Sequence, residues 1–378
     1  MMQKLSNICS FVDGRVAVTD LDMNTYISTE NMLPNKDGIT RSAGLPTVSQ
    51  TQIYKTQDVL ISNIRPYFRK IWFADRDGGC SNDVLVLRAK ENCFPAFLYY
   101  LLSDNNFFDY ATVTAKGTKM PRGDKNAIMQ YEIPEVPFDT QIGIANMLST
   151  FNARIVTNRA INHNLEQTAQ AIFKSWFIDF EPWGGDQPYD WREGTLNDLA
   201  NITMGQSPDG SSYNEEGIGT IFYQGRAEFG SRFPKCRLFT TEPKRMAIKG
   251  DVLMSVRAPV GDLNIAVEPC CIGRGLAAVQ SNNGCQSFVL YTMFALKQQL
   301  DMFNSEGTVF GSINKNDMAK LSVIIPTDYV MRQFEELVHP IDAVIETNYT
   351  ENCNLQTTRD ILLPRLISGE LPVADCHC

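Results

Sequence analysis

Apolar side chains recur at alternating intervals of three and four from Leu148 onward, through Phe151, Ile155, Leu165, Ala169, Ile172 and Trp176. This spacing keeps them on one stripe of a helix and is the a/d pattern of a coiled-coil seam. Asn158 and Asn162 interrupt the stripe in its middle. Adding 190 to each number gives Val338, Ile341, Ile345, Asn348, Asn352, Leu355, Arg359, Leu362 and Leu366, the same frame with both asparagines and one charged position. Two long helices are therefore predicted, over 139–180 and 328–371. A buried seam amide costs stability unless it meets a partner, and amides at matching heights fix one register against slippage. Asn158, Asn162, Asn348 and Asn352 are expected to pair in this way. The alternative is that each helix packs separately on a globular domain with its asparagines solvated.

The repetition extends beyond the helices. Leu5-Ser6-Asn7-Ile8 is answered by Leu199-Ala200-Asn201-Ile202, Asp58-Val59-Leu60-Ile61-Ser62 by Asp251-Val252-Leu253-Met254-Ser255, and Gly117-Thr118 by Gly307-Thr308. The offsets shrink along the chain from 194 to 193 to 190, as a tandem duplication with small loop changes would leave them. A period this long signals duplicated domains, since solenoid repeats run to about 50 residues at most. Within each half, Pro and Gly punctuate short runs that read as strands at 83–89, 250–256 and 321–326, with short helices at 95–110 and 287–303. The expected fold is α+β: two mixed α/β domains in tandem, at 1–138 and 195–327, separated by two long antiparallel helices forming a coiled coil with approximate internal two-fold symmetry. The Gly-, Pro- and charge-rich stretch 181–194 is read as a linker and 372–378 as a tail.

Composition narrows the partners. A net charge of -9 and a pI near 5.0 argue against coating nucleic acid by bulk positive charge, without excluding local readout. No apolar run suggests a membrane span, and the N-terminal residues lack a signal-peptide core, so a cytoplasmic chain with no membrane partner is expected. The ten cysteines include no Cys-x-x-Cys pair and are expected to be reduced and mostly buried. The tail Cys376-His377-Cys378 is weak as a metal site, and none is assigned.

No catalytic centre emerges. Phosphate-loop, dinucleotide-binding, nucleophile-elbow and Asn/Asp-Pro-Pro-Tyr methylation motifs are all missing. The three histidines, His163, His339 and His377, lie on the long helices and at the terminus. Pro208-Asp209 followed by Glu242-Pro243-Lys244 loosely resembles the carboxylate-plus-lysine pattern of metal-dependent nucleases, but it sits in a turn-like stretch and has no counterpart in the first half. Basic loops recur instead. Residues 115–127 place Lys116, Lys119, Arg122, Lys125 and Asn126 in a Gly-punctuated loop, and the counterpart offers Thr308, Ser312, Asn314, Lys315 and Asn316. Arg65 and Arg69 in "NIRPYFRK", Gln224 and Arg226 in "FYQGRAEFGSRFPKCR", and Arg257 add to the set. Cations and backbone amides position phosphates, while Arg, Asn and Gln make bidentate contacts to guanine or adenine edges. These residues are the candidate DNA contacts, against the alternative of solvated basic patches.

Two stretches, "NLEQTAQAIFKSWFIDFEPW" at 164–183 and "LLPRLISGEL" at 362–371, together with the duplicated layout, closely resemble the specificity subunit of Type I restriction-modification systems. The resemblance implies two target recognition domains, each reading one half of a split double-stranded DNA site, with the helices as spacer. It implies no catalytic activity in this chain. Two methyltransferase (modification) subunits would bind it and methylate adenine, restriction subunits would join, and S-adenosylmethionine, ATP and magnesium would belong to those partners. A metal-dependent nuclease and a two-headed protein-binding scaffold are the competing readings.

Overall fold

The computed structural model describes residues 1–305 and 311–373. Thr308 and the Cys376-His377-Cys378 tail lie outside the described residues. The chain divides into two compact units, Met1–Thr157 with Glu351–Cys378, and Asn158–Thr350. In chain order the helices are α1 (Pro95–Ser103), α2 (Asn105–Val113), α3 (Lys125–Met129), α4 (Phe138–Phe177), α5 (Leu196–Leu199), α6 (Gln286–Ala295), α7 (Lys297–Ser305), α8 (Lys315–Ala319) and α9 (Asp328–Ile367). Each long helix therefore contributes one part to each unit.

In the first unit an antiparallel sheet runs in the order Cys9–Phe11, Val84–Ala89, Val59–Ser62, Ile71–Phe73. Its strand Val59–Ser62 is buried at every position. The reason is that both faces are covered. Val59 and Ile61 pack with Phe97, Leu98, Leu101, Phe107 and Phe108 of α1 and α2, whereas Leu60 faces Ile27, Tyr54 and Trp72 on the other side. A second sheet, ordered Arg15–Ala17, Gln50–Tyr54, Gly78–Cys80, Tyr26–Ile27, supplies that other layer. Alternation along a strand sends neighbours to opposite faces, so a strand between two apolar layers reads as a continuous apolar run.

The second unit repeats the plan. Its four-stranded sheet runs Ala200–Met204, Leu276–Ser281, Val252–Ser255, Leu263–Ile265, and Val252–Ser255 is again buried throughout. Val252 and Met254 face α6 with Phe288 and Tyr291, while Leu253 faces the second sheet through Ile221, Tyr223 and Ile272. A two-stranded ribbon closes each unit: Met2–Lys4 with Glu132–Pro134, and Arg192–Thr195 with Ser322–Ile325. The segment read as a linker is thus partly structured. Trp191 is buried against Phe177, Phe180 and Trp183, and Arg192–Gly194 belong to the ribbon. The two long helices end at Phe177 and Ile367, one residue past the last seam positions Trp176 and Leu366 and short of the predicted ends at 180 and 371.

Each domain core is continuous with its stretch of helix pair. Ile144, Ala145 and Leu148 of α4 and Leu363, Leu366 and Ile367 of α9 enter the first core. Ala169, Phe173 and Phe177 of α4 and Val330, Phe334 and Val338 of α9 enter the second. Within the first unit Arg154 meets Glu351 through two bonds of 2.9 and 3.0 Å and Asn152 meets Arg359 at 2.8 Å; within the second Asn162 meets Asn348 and Phe173 meets Phe334. One number rises as the other falls, so the segments are antiparallel in both units. Every predicted seam position, from Leu148 to Trp176 and from Val338 to Leu366, is buried or half-buried.

In the seam itself, Asn348 Nδ2 donates to Asn162 Oδ1 at 2.8 Å, and Asn162 Nδ2 donates to the Ile345 carbonyl at 3.0 Å. Asn158 is fully buried and Asn352 nearly so. Arg359, the charged position of the second seam, is buried and turned to Asn152 and Asp360. The cysteines Cys9, Cys80, Cys93, Cys270, Cys271 and Cys285 are buried free thiols, and burial pushes Cys9 and Cys80 up to about 12. No helix among the described residues is long and apolar enough to cross a membrane.

Candidate nucleic-acid interface

The basic loop of the first unit is a short hairpin. Lys116 and Arg122 exchange backbone hydrogen bonds at 2.8 and 2.9 Å, leaving Gly117, Lys119 and Met120 exposed between them. The hairpin is joined to the second candidate stretch by an Ile64–Arg122 bridge, by Arg65 N–H donating to the Pro121 carbonyl at 2.8 Å, and by Gly123 N–H donating to the Asn63 carbonyl at 3.1 Å. Asp124 then caps α3, its carboxylate accepting from the backbone N–H groups of Asn126 and Ala127. A capping carboxylate satisfies helix donors that would otherwise lack partners.

The second unit builds the same junction. Arg257 and Ser312 form the equivalent bridge, and Ile313 N–H donates to the Val256 carbonyl at 3.1 Å. Asn314 caps α8, accepting from Asn316 and Asp317 N–H. Arg226 pairs with Asp262, whose backbone is bonded to Ser255 two residues before Arg257. Gln224 lies exposed at the end of the strand Thr220–Tyr223. The candidates of each unit are thus gathered around one loop junction.

Their side chains differ in how free they are. Lys119, Lys125, Asn126, Gln224, Arg257, Ser312, Lys315 and Asn316 are exposed. Lys125 also lies over the Phe11 ring at 5.6 Å. Lys116 is paired with Asp124 at 2.5 Å, Arg122 with Asp83 at 3.0 Å, and Arg69 with Asn105 at 3.1 Å and Asp109 at 3.3 Å. These exposed pairs are weak in water and can be exchanged for phosphate contacts. Asn314 is different. Its oxygen holds the cap and its amide donates to Asp317 at 2.6 Å, so both ends serve the helix start, as the N-cap chemistry of asparagine favours.

Arg232, in the same basic stretch as the candidates Gln224 and Arg226, is not a surface cation. It is buried, donating to Asp342 of α9 at 2.5 Å, lying 3.7 Å from Glu166 of α4, and stacked over Tyr291, whose hydroxyl donates to Asp342 at 2.8 Å. Burial opposes the guanidinium charge, but Tyr291, Asp342 and Glu166 together outweigh it and raise its pKa. The first unit holds a buried cation at a comparable place: Lys36 donates to Asp360 of α9 at 2.9 Å, to Asn105 and to the Ser103 carbonyl. Neither burial has a signal in its local sequence, since a lysine in "LPNKDG" and an arginine in "GSRFPK" both read as solvated turns.

The nuclease-like residues form no metal site. The Asp209 stretch lies beside the Glu242-Pro243-Lys244 stretch through Thr241 N–H donating to the Ser212 carbonyl, but the Asp209 carboxylate accepts from Ser211 N–H and Oγ, bonds that with a smaller effect of the Lys244 charge lower its pKa and use it as a turn cap. Among the described residues, no group of three His, Cys, Asp or Glu is placed to hold a metal ion.

Comparison with known proteins agrees with this architecture. The family described as the Type I restriction modification DNA specificity domain matches twice, over residues 4–167 and 188–355. The MjaX type I restriction enzyme specificity subunit of Methanocaldococcus jannaschii is 32% identical over 307 residues, covering 77% of this chain and 72% of the relative. The HindI specificity subunit of Haemophilus influenzae is 23% identical over 93% of this chain and 96% of its own. Among solved structures, the Type I restriction-modification S subunit from M. genitalium aligns over 97% of this chain and 96% of its own with a TM-score of 0.56 and 17% identity, a likeness of fold. With two matched domains spanning most of its length, the chain belongs to the specificity-subunit family of Type I restriction-modification systems, the non-catalytic subunits that carry the DNA recognition domains.

Proposed function

We propose that each unit reads one half of a bipartite double-stranded DNA site through its loop junction, and that α4 and α9 serve as the spacer between halves. The observation that carries this reading is the repetition of one construction in both units: a bridge between two loops, a capped five-residue helix, and exposed cations around them. Lys119, Lys125, Arg257 and Lys315 are assigned to phosphates, with Asn126, Gln224, Ser312 and Asn316 as the groups for base edges. Arg69, Lys116, Arg122 and Arg226 would exchange their present side-chain partners for DNA, and Arg65 would add a further cation. Asn314 shapes the loop from its cap position.

Each long helix of 40 residues spans about 60 Å at a rise of about 1.5 Å per residue, more than one DNA turn of about 34 Å. Pairing of seam amides fixes the helix register and, through it, the gap in the site. Two methyltransferase subunits and the restriction subunits are the proposed protein partners. S-adenosylmethionine, ATP and magnesium are assigned to them, and the phosphate neutralisation they add offsets the acidic balance of this chain. The cytoplasm is the proposed location.

The test is to co-express the chain with methyltransferase subunits from its own source and map N6-methyladenine across the host DNA by single-molecule sequencing. A split motif with a fixed gap, present only with this chain, is the expected result. A stable complex that leaves DNA unmethylated and unselected would sink the reading in favour of a protein-binding scaffold.

A further inference from the structure

Six non-glycine residues among those described adopt positive φ, and four of them meet at one place: Asn35 (59°), Lys36 (64°), Arg65 (52°) and Arg69 (52°). Side chains rarely adopt this conformation, and such strain persists only where the surroundings hold it. Here the hold is visible. Arg65 and Arg69 bracket the short turn Pro66–Phe68, whose Phe68 and Arg69 carbonyls accept from Asn35 and Lys36 N–H at 2.8 and 2.9 Å. Arg65 N–H is tied to the basic hairpin at Pro121, the Arg69 guanidinium to α2 at Asn105 and Asp109, and Lys36 below to Asp360 of α9.

What this fixed turn presents to solvent is a pair of aromatic rings. Tyr67 and Phe68 are 48% and 39% exposed, with centroids 4.8 Å apart, and Lys70 lies 5.9 Å from the Phe68 ring. Rings that leave 48% and 39% of their surface in water take only part of their possible burial from the fold. The cations bonded to or flanking the turn, Arg65, Arg69, Lys70 and Arg122, suit a polyanion. The corresponding turn of the second unit, Arg257 to Asp262, carries Ala258 and Pro259 exposed and turns Val260 inward.

We propose that Tyr67 and Phe68 form an aromatic wedge that stacks against the bases of the first unit's half-site and opens a base step there, with no counterpart at the other half-site. Apolar and aromatic side chains inserted at a base step unstack it and bend the duplex, and base–aromatic stacking tolerates any sequence. The proposal rests on the DNA-recognition reading above.

The experiment uses the assembled methyltransferase complex and duplexes carrying 2-aminopurine at successive positions of the mapped site. Besides the target adenines that the methyltransferase subunits extrude, fluorescence of the wild-type complex is expected to rise at one further step, in one half-site only. Tyr67→Ala/Phe68→Ala should abolish that rise and weaken binding about ten- to a hundredfold, with the slope of affinity against salt unchanged because no phosphate contact is lost. Tyr67→Trp/Phe68→Trp should restore both signals, which separates stacking from misfolding. Wild-type binding and fluorescence in the alanine variant would overturn the wedge and leave the recognition reading standing. Failure of the wild-type complex to select any duplex would overturn both.

Discussion

The Asn162–Asn348 pair offers the most direct test of the seam. Replacing Asn348 alone by leucine removes the donor at 2.8 Å and leaves Asn162 Oδ1 facing an apolar side chain. An orphaned buried acceptor costs about 1–3 kcal/mol, and because this pair is half-buried the lower part of that range, about 1–2 kcal/mol, is expected. Asn162→Leu strands the Asn348 amide in the same way and also loses the bond to the Ile345 carbonyl, which keeps its place in the helix ladder. The double variant removes both partners at once and adds two half-buried leucines, each contributing about 1 kcal/mol of apolar burial. It should therefore be no less stable than the wild type, up to about 2 kcal/mol more. The coupling between the positions is then at least about 2 kcal/mol and up to about 6 kcal/mol, far outside the additivity expected of independent sites. Thermal unfolding measures it, at about 2–4 °C per kcal/mol for a unit of this size. Additive shifts within about 0.5 kcal/mol would refute the pairing argument. Mapped methylation supplies the functional half: the double variant should recognise both half-sites with more than one gap length, whereas a single unchanged gap would show that the amides do not set the register.

Other tests follow from charge and length. Arg232→Met should destabilise the second unit by about 3–5 kcal/mol, because Asp342 and Glu166 lose the cation between them; a shift under about 1 kcal/mol would show that these carboxylates do not depend on it. Asp58 is held by two 2.7 Å bonds from Arg88, whereas its counterpart Asp251 is buried with a backbone donor at Ile248, and burial pushes it up to about 6. A carboxyl raised in the folded state stabilises below its unfolded pKa, and that contribution is lost as pH rises through about 6. Asp251→Asn should accordingly gain about 2–3 kcal/mol over the wild type between pH 4 and pH 7, and a melting difference independent of pH would contradict this. Inserting one heptad in each of α4 and α9 adds about 10 Å, so the gap between half-sites should grow by about three base pairs with both half-sites unchanged; altered half-site sequences would end the spacer idea.

Much of this molecule was legible along the chain. A seam with a period of 3.5 residues and a duplication with a period near 190 are one-dimensional signals, which is why the helices and the asparagine positions could be read before any contact was known, as could the strands around Val86 and Val252 from their apolar runs. The loop junction was legible only as a cluster of residue types. That Asp124 and Asn314 are caps depends on where a five-residue helix starts, and such short elements leave almost no periodicity to detect. The fate of the charges was decided by tertiary structure alone. Arg226 and Arg232 stand six positions apart in one basic stretch, yet one is exposed beside Asp262 and the other is buried against Asp342 and Glu166. Asp58 and Asp251 are repeat equivalents, yet only the first finds an arginine. Tyr67 and Phe68 read as ordinary apolar residues until the strained turn beneath them is seen. Periodicity is a property of neighbours in sequence and survives in the string of letters. Whether a side chain is buried, paired or offered to a partner depends on groups brought to it from far along the chain, and only the folded chain sets those distances.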